Sequence, residues 1–280
     1  MVLINPNSST ATTAMMTAIA RRTLGPALPV RGVTVARGPR MLTDPEALRA
    51  AAPEVLAAGL RATAGGDCAA LLVAAFGDPG LTALRAATTG AGASGVHGLA
   101  GASGAYGATG TPASGIREVG IPTSGTLTSG TLTSGTLTSG APTSGIPVVG
   151  IGEAALLEAA AGGTPFGIAT TTPLLADAIH ARVNALGLAD RYTGLRLTAG
   201  APERLSADPE LLLDRLERAV RACAERDGAR AVVIGGGPLG EAAEALHARC
   251  AVRVVAPIPA ACRAITRLLT DRRTGGPTVR

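Results

Sequence analysis

Lysine is absent from all 280 residues, so the 25 basic side chains are all arginine. The chain therefore has no amine for the Schiff bases of pyridoxal-phosphate enzymes or class I aldolases. It also lacks the GK[ST] lysine of a P-loop. Tryptophan is absent too, and aromatic residues make up only 1% of the chain. The net charge is +5, but without stacking platforms or a basic run nothing supports nucleic-acid binding. The longest apolar run, near Cys68–Phe76, falls far short of the ~20 residues of a membrane span. No charged-then-apolar leader precedes the first strand-like segment. Cys68, Cys223, Cys250 and Cys262 show no CxxC or metal-ligand spacing. They read as reduced thiols of a cytoplasmic protein, with no metal site among them.

What is present is aliphatic. Apolar residues form 46% of the chain, enough for a core of Val, Leu, Ile and Ala. Short aliphatic runs alternate with amphipathic helical stretches, the pattern of an α/β fold with mostly parallel sheets. Strands are predicted at Val2–Ile4, Val30–Val35, Ala69–Ala75, Pro147–Ile151, Phe166–Thr170, Gly194–Leu197, Ala231–Ile234 and Val252–Ala256. Asp44-Pro45-Glu46 and Asp208-Pro209-Glu210 each open a helix with an N-cap acid and a first-turn proline.

Residues 86–146 break the pattern. They are rich in Gly, Ser, Thr and Ala, and Thr123-Ser124-Gly125-Thr126-Leu127 recurs at 128–132 and 133–137 with degenerate copies after it. A period of five matches no common solenoid and offers no apolar face to bury. The segment reads as a surface insertion in a helix-to-strand connection, or else as a small β-rich flap. The scaffold then comprises 1–85 and 147–270, and 271–280 reads as a flexible tail.

An internal two-fold is visible in the remainder. Ala69–Ala75 followed by Phe76-Gly77-Asp78-Pro79-Gly80 resembles Ala231–Gly235 followed by Gly236-Gly237-Pro238-Leu239-Gly240. Asn5-Pro6-Asn7-Ser8-Ser9 similarly matches Ala169-Thr170-Thr171-Thr172-Pro173. Two pseudo-symmetric lobes with a ligand cleft between their strand carboxyl ends follow from this repetition. Asn5, Asn7, Ser8, Thr171 and Thr172 are candidates to hold a carboxylate or carbonyl beside helix N–H groups. Gly235–Gly240 fits G-x-G-x-x-G, but no acid lies ~20 residues on, so it reads as an anion-presenting turn rather than a dinucleotide site. His180 and His247 read as surface residues on helices.

Together, Leu3-Ile4-Asn5-Pro6-Asn7-Ser8-Ser9, Phe76-Gly77-Asp78-Pro79-Gly80-Leu81 and Pro147-Val148-Val149-Gly150-Ile151-Gly152-Glu153 resemble the hydantoin racemase branch of the aspartate/glutamate racemase superfamily. The resemblance implies a homo-oligomer and cofactor-independent proton transfer on a small carboxylate or cyclic ureide, with one cysteine per lobe. Backbone amides and Ser, Thr or Asn side chains, here Phe76, Gly77, Gly236 and Gly237 with the residues above, would hold the ligand. At the two cysteine positions this chain has Ala75 and Gly236. Retained chemistry would then fall to Asp78 or Glu153, as a one-base decarboxylase or isomerase. The remaining possibility is a non-catalytic binder of small molecules.

Overall fold

The computed structural model describes residues 1–90 and 145–274. The pentapeptide repeats, with His97, Tyr106, Arg117 and Glu118, lie outside the described residues. Two four-stranded parallel sheets form the framework. The first half of the chain runs β1 (Val2–Asn5), α1 (Thr10–Leu24), β2 (Arg31–Thr34), α2 (Pro45–Thr63), β3 (Leu71–Val73), α3 (Leu81–Gly90), β4 (Val148–Gly150) and α4 (Ile151–Ala159). The second runs β5 (Phe166–Thr170), α5 (Ala176–Ala185), β6 (Tyr192–Leu197), α6 (Pro202–Ala207), α7 (Pro209–Glu225), β7 (Ala231–Ile234), α8 (Gly240–Arg249), β8 (Arg253–Val255) and α9 (Pro257–Thr274).

The strand orders are β2-β1-β3-β4 and β6-β5-β7-β8, the same path traced twice. In the first sheet Val2 pairs with Arg31 and Leu71, and in the second Phe166 pairs with Tyr192 and Ala231. All eight predicted strands are present: four are trimmed at both ends by a residue or two, two match, and two are longer by one or two residues. α3 continues through Gly90, with the Thr88 and Thr89 hydroxyls bonded back to the carbonyls of Leu84 and Arg85. α9 likewise runs past 271 to Thr274, before the Gly275-Gly276-Pro277 stop.

Caps set the helix starts. Ser9 accepts from the Thr12 amide at 3.2 Å, Asp44 from Ala47 at 2.8 Å and Asp208 from Leu211 at 3.0 Å, satisfying first-turn donors.

The inner strands of each sheet are buried on both faces, which is why they read as continuous aliphatic runs. One face of the first sheet (Leu3, Leu72, Val149) packs on Met16 and Ile19 of α1 and on Ile258, Ala261 and Ile265 of α9. Its other face (Ile4, Leu71, Val73) meets α2 and α3. The second sheet packs Phe166, Ile168 and Val233 against Ala155, Leu156 and Ala159 of α4 and Ile179 of α5. Its opposite face meets α7 and α8. The last helix of each half is thus exchanged: α4 covers the second sheet and α9 the first. No helix among the described residues is long and apolar enough to cross a membrane.

Candidate functional site between the lobes

The carboxyl ends of β1, β3, β5 and β7 converge on one cavity. Asn7 follows β1, Ala74–Gly77 follow β3, Thr171 and Thr172 follow β5, and Gly235–Leu239 follow β7. Met41, Leu42, Leu48, Leu175, Pro202 and Ser206 complete the lining. The two positions that resemblance assigns to cysteine, Ala75 and Gly236, therefore line the same cavity.

The polar groups that the described residues place in the cavity are neutral. The Asn7 amide oxygen accepts from Asn5 Nδ2 at 2.8 Å and from the Ser9 amide at 2.9 Å, so the ligand-facing capacity left to Asn7 is its donor, Nδ2. Thr170 at the end of β5 donates to the Gly235 carbonyl at 2.6 Å and pairs with Thr172 at 3.1 Å, tying the two turns of the second lobe together. The amides of Phe76, Gly77 and Gly237 donate to no other group among the described residues. Among the described residues, no lining residue carries an ionisable side chain: the set is Asn, Ser, Thr, Gly, Ala and apolar residues.

Of the residues singled out from sequence, Asn7, Phe76, Gly77, Thr171, Thr172, Gly236 and Gly237 come together in this cavity. Asn5 and Ser8 do not line it. Asn5 is fully buried, and its side chain is used up on Asn7, the Ser9 carbonyl and the Thr13 hydroxyl. It fixes the turn that presents Asn7. The Ser8 amide is bonded to Pro39, which ties the same turn to the loop after β2.

Asp78 and Glu153 also lie outside the lining and are otherwise engaged. α4 has a glycine, Gly150, at its N-cap and so no cap of its own. Asp78 supplies one from across the fold, accepting from the amides of Gly152 at 2.9 Å and Glu153 at 2.7 Å. The approach is so close that a Cβ on Gly152 would stand 2.0 Å from the Phe76 carbonyl oxygen. Asp78 adopts φ +46°, a left-handed conformation rare outside glycine. Burial pushes its carboxyl up to about 7, against the two amide bonds and Arg182, which hold it down. Glu153 takes a bidentate pair from Arg85 (2.8 and 3.1 Å) and a further bond from Arg182 at 2.7 Å. These ion pairs join α3, α4 and α5.

None of the four cysteines lines the cavity. Burial pushes the thiols of Cys223 and Cys262 up to about 12, the behaviour of inert core thiols rather than nucleophiles. Among the described residues, no cluster of three or more His, Cys, Asp or Glu could hold a metal ion.

The residues that sequence reasoning missed are Met41, Leu42, Leu48, Leu175 and Pro202, in loops or first helical turns, and Ser206, near the end of α6. For the five apolar ones the signal is apolarity, which reads equally as core, and Ser206 stands in no motif.

Two parallel α/β lobes of identical topology, closing a cleft at their strand ends, define a class of small-molecule-binding α/β protein. Within that class the chain belongs to the Asp/Glu/Hydantoin racemase family, whose model matches residues 1–115 and 139–265. Solved structures agree on the fold. Allantoin racemase from Klebsiella pneumoniae is 24% identical with a TM-score of 0.70, over 96% of this chain and 86% of that one. Allantoin racemase from Pseudomonas fluorescens is 20% identical with a TM-score of 0.69, over 99% and 92%. Maleate cis-trans isomerase from Nocardia farcinica is 14% identical with a TM-score of 0.57, over 96% and 91%. No protein of curated function matches the chain in sequence.

Proposed function

We propose that this chain binds a neutral cyclic ureide between its lobes and does not itself racemise it through a thiol pair. The observation that carries this reading is the chemistry of the cleft lining: donors without charge. Amide N–H groups from both lobes, Asn7 Nδ2 and the hydroxyls of Thr171 and Ser206 are suited to carbonyl oxygens of a planar head group. Among the described residues no cation lines the cleft to offset the desolvation of a carboxylate, which favours a neutral ring over a free amino acid. Moving a proton at carbon needs a positioned base of suitable pKa. Ala75 and Gly236 supply none, and Asp78 and Glu153 are committed to the α4 cap and its ion pairs.

Calorimetric titration with 5-substituted hydantoins and with the matching amino acids tests the reading. Saturable binding of the hydantoins and a weaker response to the amino acids are expected. Preference for the free amino acids would overturn the neutral-ligand assignment. The scaffold reading has its own test in Ala75→Cys combined with Gly236→Cys. Backbone at Gly236 is extended (φ 160°), and a Cβ there meets only the flexible Leu239 side chain, at 3.1 Å. The double variant should fold and gain exchange of the ring α-proton with solvent. A folded, ligand-binding double variant with no exchange would refute the placement of those two positions.

A further inference from the structure

We infer that Arg182 is a positioning residue for the ligand: from α5 it holds the turn that carries the Phe76 and Gly77 amides, without lining the cleft itself. The inference rests on the cleft being the ligand site and adds a control on its donors from outside. The turn is closed at its base, where the Asp78 amide donates to the Ala75 carbonyl at 2.9 Å. It ends in the Asp78 carboxylate, whose two oxygens take the Gly152 and Glu153 amides of α4. Arg182 Nη2 adds a bond of 3.5 Å to Asp78 Oδ2 and one of 2.7 Å to Glu153 Oε2. α5 begins directly after Leu175, which lines the cleft from the second lobe. One guanidinium thus ties a wall of the second lobe to the donors of the first.

The tie depends on charge. The Arg182 side chain is only 28% exposed and that of Asp78 1%. Arg182 Nε is buried with no hydrogen-bond partner among the described residues. A largely desolvated guanidinium with an unmet donor keeps its place through the carboxylates on its Nη2. The charged groups facing Asp78 are Arg182 of α5 and Glu153 of α4, and Glu153 is itself shared with Arg85 of α3. Both Asp78 oxygens face N–H donors, so a proton on either sets donor against donor and displaces a bond. Burial raises this carboxyl to about 7, so the tie loosens as pH falls through neutrality. Among the described residues the cleft lining has no ionisable side chain, so a pH dependence of binding reports on the tie behind it.

The test is calorimetric titration of the full chain with 5-butylhydantoin between about pH 6 and about pH 8. Affinity should be about three- to tenfold higher at the upper end. Near neutrality binding should release protons, seen as a heat that differs between phosphate and Tris buffers. Arg182→Met should weaken binding near neutrality about three- to tenfold and move the rise in affinity to higher pH, because the charge that holds Asp78 down is gone. Arg182→Lys, which keeps the charge, should restore most of both. Far-UV circular dichroism and the unfolding midpoint would show that these variants remain folded. Wild-type affinity independent of pH, with no proton release, would overturn the tie and leave the cleft reading intact, and it needs no variant. A folded Arg182→Met chain with wild-type affinity and pH profile would overturn it as well. Equal losses in the Met and Lys variants with an unmoved pH profile would reduce Arg182 to a structural role and also overturn the inference. Failure of the hydantoin to bind at any pH would remove the cleft reading and the tie with it.

Discussion

Asp78 shows how a residue at the edge of a site can carry structure rather than chemistry. It was a candidate base because it follows Ala75 by three positions. Folding puts its carboxylate at the bare N-terminus of α4, where two orphan amides require an acceptor. Asp78→Asn should cost about 1–3 kcal/mol, from the weakened cap and the exchange of an acceptor for a donor beside buried N–H groups. The pH dependence has a definite sign. A carboxyl raised from 3.8 to about 7 on folding contributes stability below its unfolded value. That contribution is lost as pH rises towards 7, so urea midpoints of the native chain should decline over this range. The decline should be shallower in Asp78→Asn. Gly237 is a second residue whose role is steric: a Cβ there would stand 2.8 Å from Met16 Sδ and 2.9 Å from the Ala74 carbonyl oxygen, both in the opposite lobe. Gly237→Ala should lower stability by about 1–3 kcal/mol, measured by denaturant unfolding, while Gly236→Ala should be nearly neutral. Neither distinction is visible in the run Gly235-Gly236-Gly237, because it depends on what the other lobe places opposite each glycine.

At the scale of elements, the strands were legible and the helix exchange was not. Val2–Asn5, Leu71–Val73 and Ala231–Ile234 are buried on both faces, so their aliphatic runs announce themselves. Asp44-Pro45 and Asp208-Pro209 likewise declared their helices through cap chemistry. Nothing local in α4 or α9 says which sheet it will cover. Leu156 and Ile265 have the same apolar character whichever sheet receives them. The exchange has a measurable consequence. Ile265→Ala, in the last helix of the chain, should cost about 2–4 kcal/mol by leaving a cavity against α1 and the first sheet. Hydrogen exchange should show the loss of protection in β1 and β3 of the first lobe. Loss confined to β7 and β8 would contradict the exchanged arrangement.

For the molecule as a whole, the internal repeat was the informative feature, since two like turns in two like halves located the cleft before its walls were known. Asn7 and Thr171 arrive there from equivalent strand ends, as do Phe76 and Gly237. The apolar half of the site was hidden because Leu48 and Leu175 also belong to the core cluster behind it. The cleft of this chain is rich in neutral donors, and among the described residues its lining carries no ionisable side chain. The most direct measurement is proton NMR of 5-butylhydantoin in D2O, with and without protein. Line broadening that saturates with protein, together with α-proton loss no faster than in buffer alone, is the expected result. Protein-accelerated, stereospecific loss of that proton would contradict it and return the chain to the racemases by activity as well as by fold.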